Sequence, residues 1–228
     1  MILLLEFCEN KVREEPDIES MEKWVKAGAL FVISYVLSLR GNEGILLDIE
    51  GLQQFDQERN ELLAVPLVGK LKGSGQVKRH ILRSVKVTSS GINVNWWMTY
   101  LRRVVELNGR NRGPVFADKD GFVWTSVTIN EMFHEGLEYI YEHHKALFPF
   151  GITSADDVRL HYGVYRSFCR GSDSRAISQG VSELDIQVIN QWSKGKKSQG
   201  TKVSERMEIH YADQSLLDEC FRRYTQAM

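Results

Sequence analysis

Basic residues are not in excess in this chain. Lys and Arg total 29 against 30 Asp and Glu, leaving a formal charge of −1. Net charge therefore names no nucleic-acid partner, and any polyanion-binding role must rest on where the charges sit. Cysteine is scarce: Cys8, Cys169 and Cys220 make an odd count without metal-ligand spacing. That pattern argues against a disulfide framework or a zinc site, and favours free thiols in a reducing compartment. No apolar run reaches the roughly 18 residues of a membrane span. The opening "MILLLEF" has no basic region before it and no small-residue cleavage site after it. It reads as an element that docks on the core, not as a secretion signal. No repeat, low-complexity segment or linker forces a domain boundary.

What the chain does have is core-forming capacity. Its 228 residues are 43% hydrophobic and 26% charged, the balance of an ordinary globular protein with a sizeable core. "SMEKWVKAGALFVISYVLSL" (20–39) carries a broad apolar face with Ser20 as a partial cap. It predicts either two packed helices or one helix bent at Gly28. "ILLDIEGL" is a short apolar stretch running into a strand. "ELLAVPLVGKLKGSGQVKRHILRSVKV" predicts a β-hairpin about the Gly-Ser-Gly turn at 73–75, with Pro66 marking an edge strand. Helices are expected over 92–107, 126–144 with a Ser or Thr cap, 160–179, 182–193 and 203–226. Gly180 has the place of a C-terminal glycine, and Ser182 with Asp185 three residues on that of an N-cap. The fold class is mainly α with one small antiparallel β-sheet, an α+β arrangement.

Charge distribution says more than net charge. Residues 66–88 hold Lys70, Lys72, Lys78, Arg79, Arg83 and Lys86 and no acid. Residues 194–202 hold Lys194, Lys196, Lys197 and Lys202, again without an acid. Two such segments suit phosphates, and suit solvated loops equally well. On a helical wheel, Val164, Tyr165, Phe168, Cys169, Ser172 and Ala176 form one apolar stripe, with Arg166 and Arg170 on its flank and Arg175 nearer the other edge. Alone, that helix is equally a packed element with arginines snorkelling at its border.

Distant segments narrow the choice. "SLRGNEGILLDIEGL" places Arg40 after an apolar helix, followed by Glu43. "LVGKLKGSGQVKR" places lysines before a hairpin turn. "GVYRSFCRGSDSRAISQGVSELDIQVINQW" runs from Arg166 to Trp192, and "ERMEIHYADQSLL" carries Tyr211. The order Arg, Lys, Arg, Trp, Tyr resembles the catalytic domain of the tyrosine recombinases, the phage-integrase type. The long basic spacer before the tyrosine resembles the eukaryotic Crypton-like mobile-element versions.

The resemblance runs from about residue 20 to the end. It implies a recombinase catalytic fold and a DNA cleaving and rejoining activity through a 3′-phosphotyrosyl intermediate. No metal or other cofactor is implied. Matched position by position, Arg40 and Arg166 take the two arginine places, Lys72 the hairpin lysine with Lys70 as runner-up, Trp192 the place filled by His or Trp, and Tyr211 the nucleophile. Glu43 takes the acidic place three residues after the first arginine. Lys78, Arg79, Arg170, Lys194, Lys196 and Lys197 would contact DNA. Tyr224 is the competing nucleophile, less well held near the C-terminus.

Two departures stand out. Gly163 occupies the place where the family has His, three residues before the second arginine, and His161 is the nearby substitute. The insert "SKGKKSQGTK" lengthens the path from Trp192 to Tyr211. The family's separate N-terminal core-binding domain is expected to be absent, so that 1–228 form a single catalytic domain with 1–19 as an extension. Implied partners are duplex DNA and a homotetramer upon it, with no membrane. The expected location is the nucleus if the source is eukaryotic, otherwise the cytoplasm, and not outside the cell. Two other readings stay open: a catalytically impaired DNA-binding derivative, and an unrelated helical interaction domain.

Overall fold

The computed structural model describes residues 1–39, 44–53, 67–70, 77–80, 88, 90–162, 167–189, 220 and 223–228, the 67–70 and 77–80 runs by their backbone alone. The architecture is mainly helical. At its centre lies α2 (Ile18–Val36). From Trp24 to Ser34 every residue of this helix is buried. A helix apolar around its whole circumference must be surrounded by other elements. Helix α1 (Ile2–Glu14), α4 (Val94–Leu107) and α7 (Ser167–Ser178) each pack against α2. Helix α5 (Ser126–His143) lies against α1, and α6 (Ala155–His161) against α5. Short helices α3 (Ile49–Gln53) and α8 (Glu183–Ile189) adjoin α4 and α7. The "MILLLEF" segment docks as expected: Leu4, Leu5, Phe7 and Cys8 of α1 are buried in the common core.

Four sequence expectations change. The 20–39 segment is one continuous helix, neither two nor one bent at Gly28. It begins earlier than expected, because Asp17 caps it by accepting from the Ser20 backbone N–H at 2.8 Å. The glycine has a different purpose. A Cβ at Gly28 would sit 2.1 Å from Cζ3 of Trp97, so its small size lets α4 approach. Gly136 does the same for α1, where a Cβ would meet Leu4 Cδ1 at 2.3 Å.

The "ILLDIEGL" run is no strand. It forms a 3₁₀ turn (Gly44–Leu46), a lone bridge from Asp48 to Pro114, then α3. The expected 160–179 helix is two elements. Helix α6 ends at His161, Tyr162 is extended (φ −91°, ψ 111°), and α7 begins at Ser167. The start of α6 was written in "TSADD": Ser154 and Asp157 form a reciprocal capping box. The fourth change concerns Tyr224, taken up below.

Helix-end signals otherwise serve well. Thr125 caps α5, Ser182 accepts from the Asp185 N–H, and Gly180 closes α7 at φ 80°. The backbones of β1 (Leu67–Lys70) and β2 (Val77–His80) pair antiparallel, Leu67 opposite His80. The turn between them lies outside the described residues.

The Gly28 contact gives a direct stability prediction. Alanine there regains about 1 kcal/mol of helix propensity but overpacks the Trp97 ring, which costs about 1–3 kcal/mol. Gly28→Ala is expected to lower the urea midpoint. An unchanged or raised midpoint would mean that α2 and α4 have room to spare.

Candidate functional site

Arg40, Glu43, Lys72, Gly163, Arg166, Trp192, Lys194, Lys196, Lys197 and Tyr211 lie outside the described residues. Lys70, Lys78 and Arg79 lie on the paired strands, where only backbone is described. What the structure does describe is how the segments beside Arg40 and Arg166 are tied to each other and to the C-terminal residues.

The tie begins at the end of α2. Leu39 N–H bonds to the Ser34 carbonyl and Ser38 N–H to the Tyr35 carbonyl, the paired bonds of a Schellman closure. The left-handed position in such a closure normally falls to glycine. Here Ser38 holds it at φ 53°. A side chain in that conformation costs about 1–2 kcal/mol. The hydroxyl offsets that cost by reaching across to α7. Ser38 Oγ donates to Asp173 Oδ1 at 2.9 Å and lies 3.2 Å from Cys169 Sγ.

Asp173 is also the anchor of the C-terminal residues. The Tyr224 hydroxyl donates to Asp173 Oδ1 at 2.7 Å, and Ser172 Oγ stands 2.6 Å from the same hydroxyl. Because Tyr224 gives its proton to the carboxyl, Ser172 is the donor in the second bond. Ser38, Ser172 and Asp173 are all buried, and Tyr224 is 0% exposed. Burial, and next the Asp173 carboxyl, push the Tyr224 hydroxyl far above the ordinary tyrosine range. This corrects the expectation that Tyr224 is loosely held. It is a locked core residue whose phenolate is strongly disfavoured, unsuited to attack on a phosphate.

A second tie runs from α8. Asp185 accepts from Arg223 Nη2 at 3.1 Å, and its Oδ1 lies 3.1 Å from Cys220 Sγ. Ser90 donates to the Met228 carbonyl oxygen. The end of α2, α7 and Tyr224 thus share one set of polar contacts, and a second set ties α8 to Cys220 and Arg223.

The α7 stripe is buried at Phe168, Cys169, Ser172 and Ala176, as its spacing requires; Val164 and Tyr165 lie outside the described residues. Arg170 is exposed, while Arg175 is half-buried and its Nε makes no hydrogen bond among the described residues. His161 is exposed on α6, its Nδ1 3.0 Å from the Asp157 carbonyl oxygen. Sequence reasoning missed Ser38 and Asp173. A serine at a helix end and an aspartate at a stripe's border carry no signal until their distant partners are known.

The described residues contain no group of His, Cys, Asp and Glu that would hold a metal ion. None of their helices is long and apolar enough to cross a membrane. Cys8, Cys169 and Cys220 are buried and form no disulfide. Comparison with protein-family models, with curated proteins and with solved structures finds no match.

Proposed function

We propose that the chain is a DNA strand-cleaving and rejoining enzyme, the catalytic domain of a tyrosine recombinase. One observation supports this reading most. The segments carrying the first arginine, the second arginine and the tyrosine are far apart in sequence, yet their described neighbours share a buried polar knot. Ser38 precedes Arg40 by two positions, Cys169 and Asp173 follow Arg166 on α7, and Tyr224 follows Tyr211. The strained Ser38 also fixes the direction in which the chain leaves α2 toward Arg40.

In this reading Tyr211 attacks a DNA phosphodiester. Its oxygen forms a bond to phosphorus as its hydroxyl proton passes to solvent, the 5′-oxygen leaves, and a 3′-phosphotyrosyl link results. Arg40 and Arg166 hold the two non-bridging oxygens with forked donors and stabilise the added negative charge of the transition state. Lys72, or Lys70, supplies the proton that the leaving 5′-oxygen needs. The Trp192 indole N–H donates to the same phosphate without titrating, and Glu43 orients Arg40. Exposed Arg170, with Lys78, Arg79 and the lysines at 194, 196 and 197, binds the duplex backbone. Rejoining reverses the cleavage, so no cofactor is consumed. A homotetramer on DNA belongs to the same proposal, as does a nuclear location if the source is eukaryotic and a cytoplasmic one otherwise.

A second reading has its own observation. His161, the substitute for the missing histidine, sits on α6, and the extended Tyr162 separates it from α7. A domain without that histidine would bind duplex and cleave it poorly or not at all. A suicide duplex nicked just 3′ of the cleavage site, from which the short fragment carrying the new 5′-hydroxyl escapes on cleavage, separates the readings. The recombinase is expected to give a covalent protein–DNA adduct stable to denaturant. Salt-sensitive binding without adduct favours the impaired derivative. No binding at low salt removes both.

A further inference from the structure

A different part of the molecule carries a buried amine beside a cavity. Lys26 stands in the apolar middle of α2, flanked by Val25 and Ala27, and is 4% exposed. Its Nζ donates to the Ala117 carbonyl oxygen at 3.0 Å. The nearest carboxylate oxygen described, Glu22 Oε2, is 4.0 Å away, at the limit of an ion pair. A cavity of about 430 Å³ is lined by Lys26 on one side and Trp124 on another.

The other charged groups around it are already engaged. Asp17 caps α2, Glu19 pairs with Lys119 at 3.1 Å, and Glu22 accepts from Asn108 Nδ2 at 3.0 Å. Asp118 Oδ1 accepts from two backbone N–H groups of its own turn. Lys23 lies over the Trp24 ring. The Lys26 amine is the buried cation of this wall, weakly paired with Glu22 and opposed by the Arg110 charge, and it lines a space large enough for a small molecule.

We propose that Lys26 is the reactive amine of a small-molecule site, capturing an aldehyde or ketone in this cavity as an imine. The amine lone pair attacks the carbonyl carbon and forms the C–N bond. The carbonyl oxygen takes up two protons, at least one from the amine, and leaves as water. A planar carbonyl compound is the class that fits, because Trp124 offers an aromatic wall. Burial favours the neutral, nucleophilic amine and lowers its proton affinity below that of an ordinary lysine. This site is independent of the DNA chemistry proposed above.

The test uses the full chain, benzaldehyde as probe and borohydride to fix the product. Hydride adds to the imine carbon and leaves a benzyl amine that peptide mass mapping locates. At pH 7, Lys26 is expected to be labelled several-fold faster than exposed Lys23 and Lys119. Its labelling should rise less from pH 7 to 9 than that of Lys119, whose amine Glu19 holds above the usual lysine range. Trp124→Ala is expected to slow labelling at Lys26 and leave the other two unchanged. Labelling of Lys26 no faster than that of Lys23 or Lys119 in the unmodified chain overturns the proposal, whether or not the variant folds. So does equal labelling of Lys26 in a folded Trp124→Ala.

Discussion

Asp173→Ala is expected to destabilise the chain by about 3–5 kcal/mol. The estimate follows from two lost partners. Hydroxyl groups of Ser38 and Tyr224 converge on Asp173 Oδ1 at 2.9 and 2.7 Å, and both residues are buried. A buried donor left without its acceptor costs about 1–3 kcal/mol. Ser38 then also keeps its left-handed backbone strain, offset only by its longer contacts to Cys169. For a domain of this size the loss corresponds to a fall in Tm on the order of 10 °C. Asp173→Asn retains a carbonyl oxygen for the two hydroxyls and should cost about 1 kcal/mol. Chemical denaturation of the three proteins decides the matter. An alanine variant within about 1 kcal/mol of the parent would show that the knot contributes little.

That knot also marks where sequence reading stops. The stripe on α7 was legible because burial follows from local spacing: Phe168, Cys169, Ser172 and Ala176 recur on one face. Asp173 follows Ser172 by a single position, off that stripe, so it reads as a solvated acid. Its burial depends on Ser38 and Tyr224, which are 135 and 51 positions away. Gly28 was ambiguous for the same reason. A glycine within a helical pattern signals a bend or a close approach, and only Trp97 of α4 decides between them. Caps were legible because each is settled within four residues, as at Thr125 and Ser182. The break after His161 was also local, but the apolar pattern on both sides hid it until the Ser154 box fixed where α6 begins.

The candidate site divides along the same line. Ordered Arg, Lys, Arg, Trp and Tyr positions are a sequence property and carry the proposal. The polar contacts supporting it belong to residues to which the resemblance assigns no role. Arg170 and Arg175 illustrate the difference. They are alike in sequence, yet Arg170 faces solvent, where a phosphate backbone can reach it, and Arg175 is half-buried beside Tyr35. Under the proposed function, mutations at Arg170 are expected to change duplex affinity, and mutations at Arg175 packing.

The choice between the two tyrosines has the largest expected effect on activity. Tyr211→Phe is expected to abolish the covalent adduct on a suicide duplex while leaving duplex affinity unchanged, since phenylalanine keeps the ring and removes only the attacking oxygen. Tyr224→Phe should do the opposite. It removes a buried hydroxyl that donates to Asp173 and accepts from Ser172, costing about 1–3 kcal/mol and a Tm shift of several degrees. Its adduct yield per folded molecule should remain near that of the parent, because the locked hydroxyl was never available to a phosphate. Mapping the adducted peptide in the unmodified chain gives a third readout that does not depend on either variant folding. A phosphotyrosyl link found at Tyr224 would require that residue to leave the core before reaction, releasing Asp173 and Ser172, and would reverse the assignment. A link at Tyr211 would leave the knot as the fixed frame against which the nucleophile's segment is held.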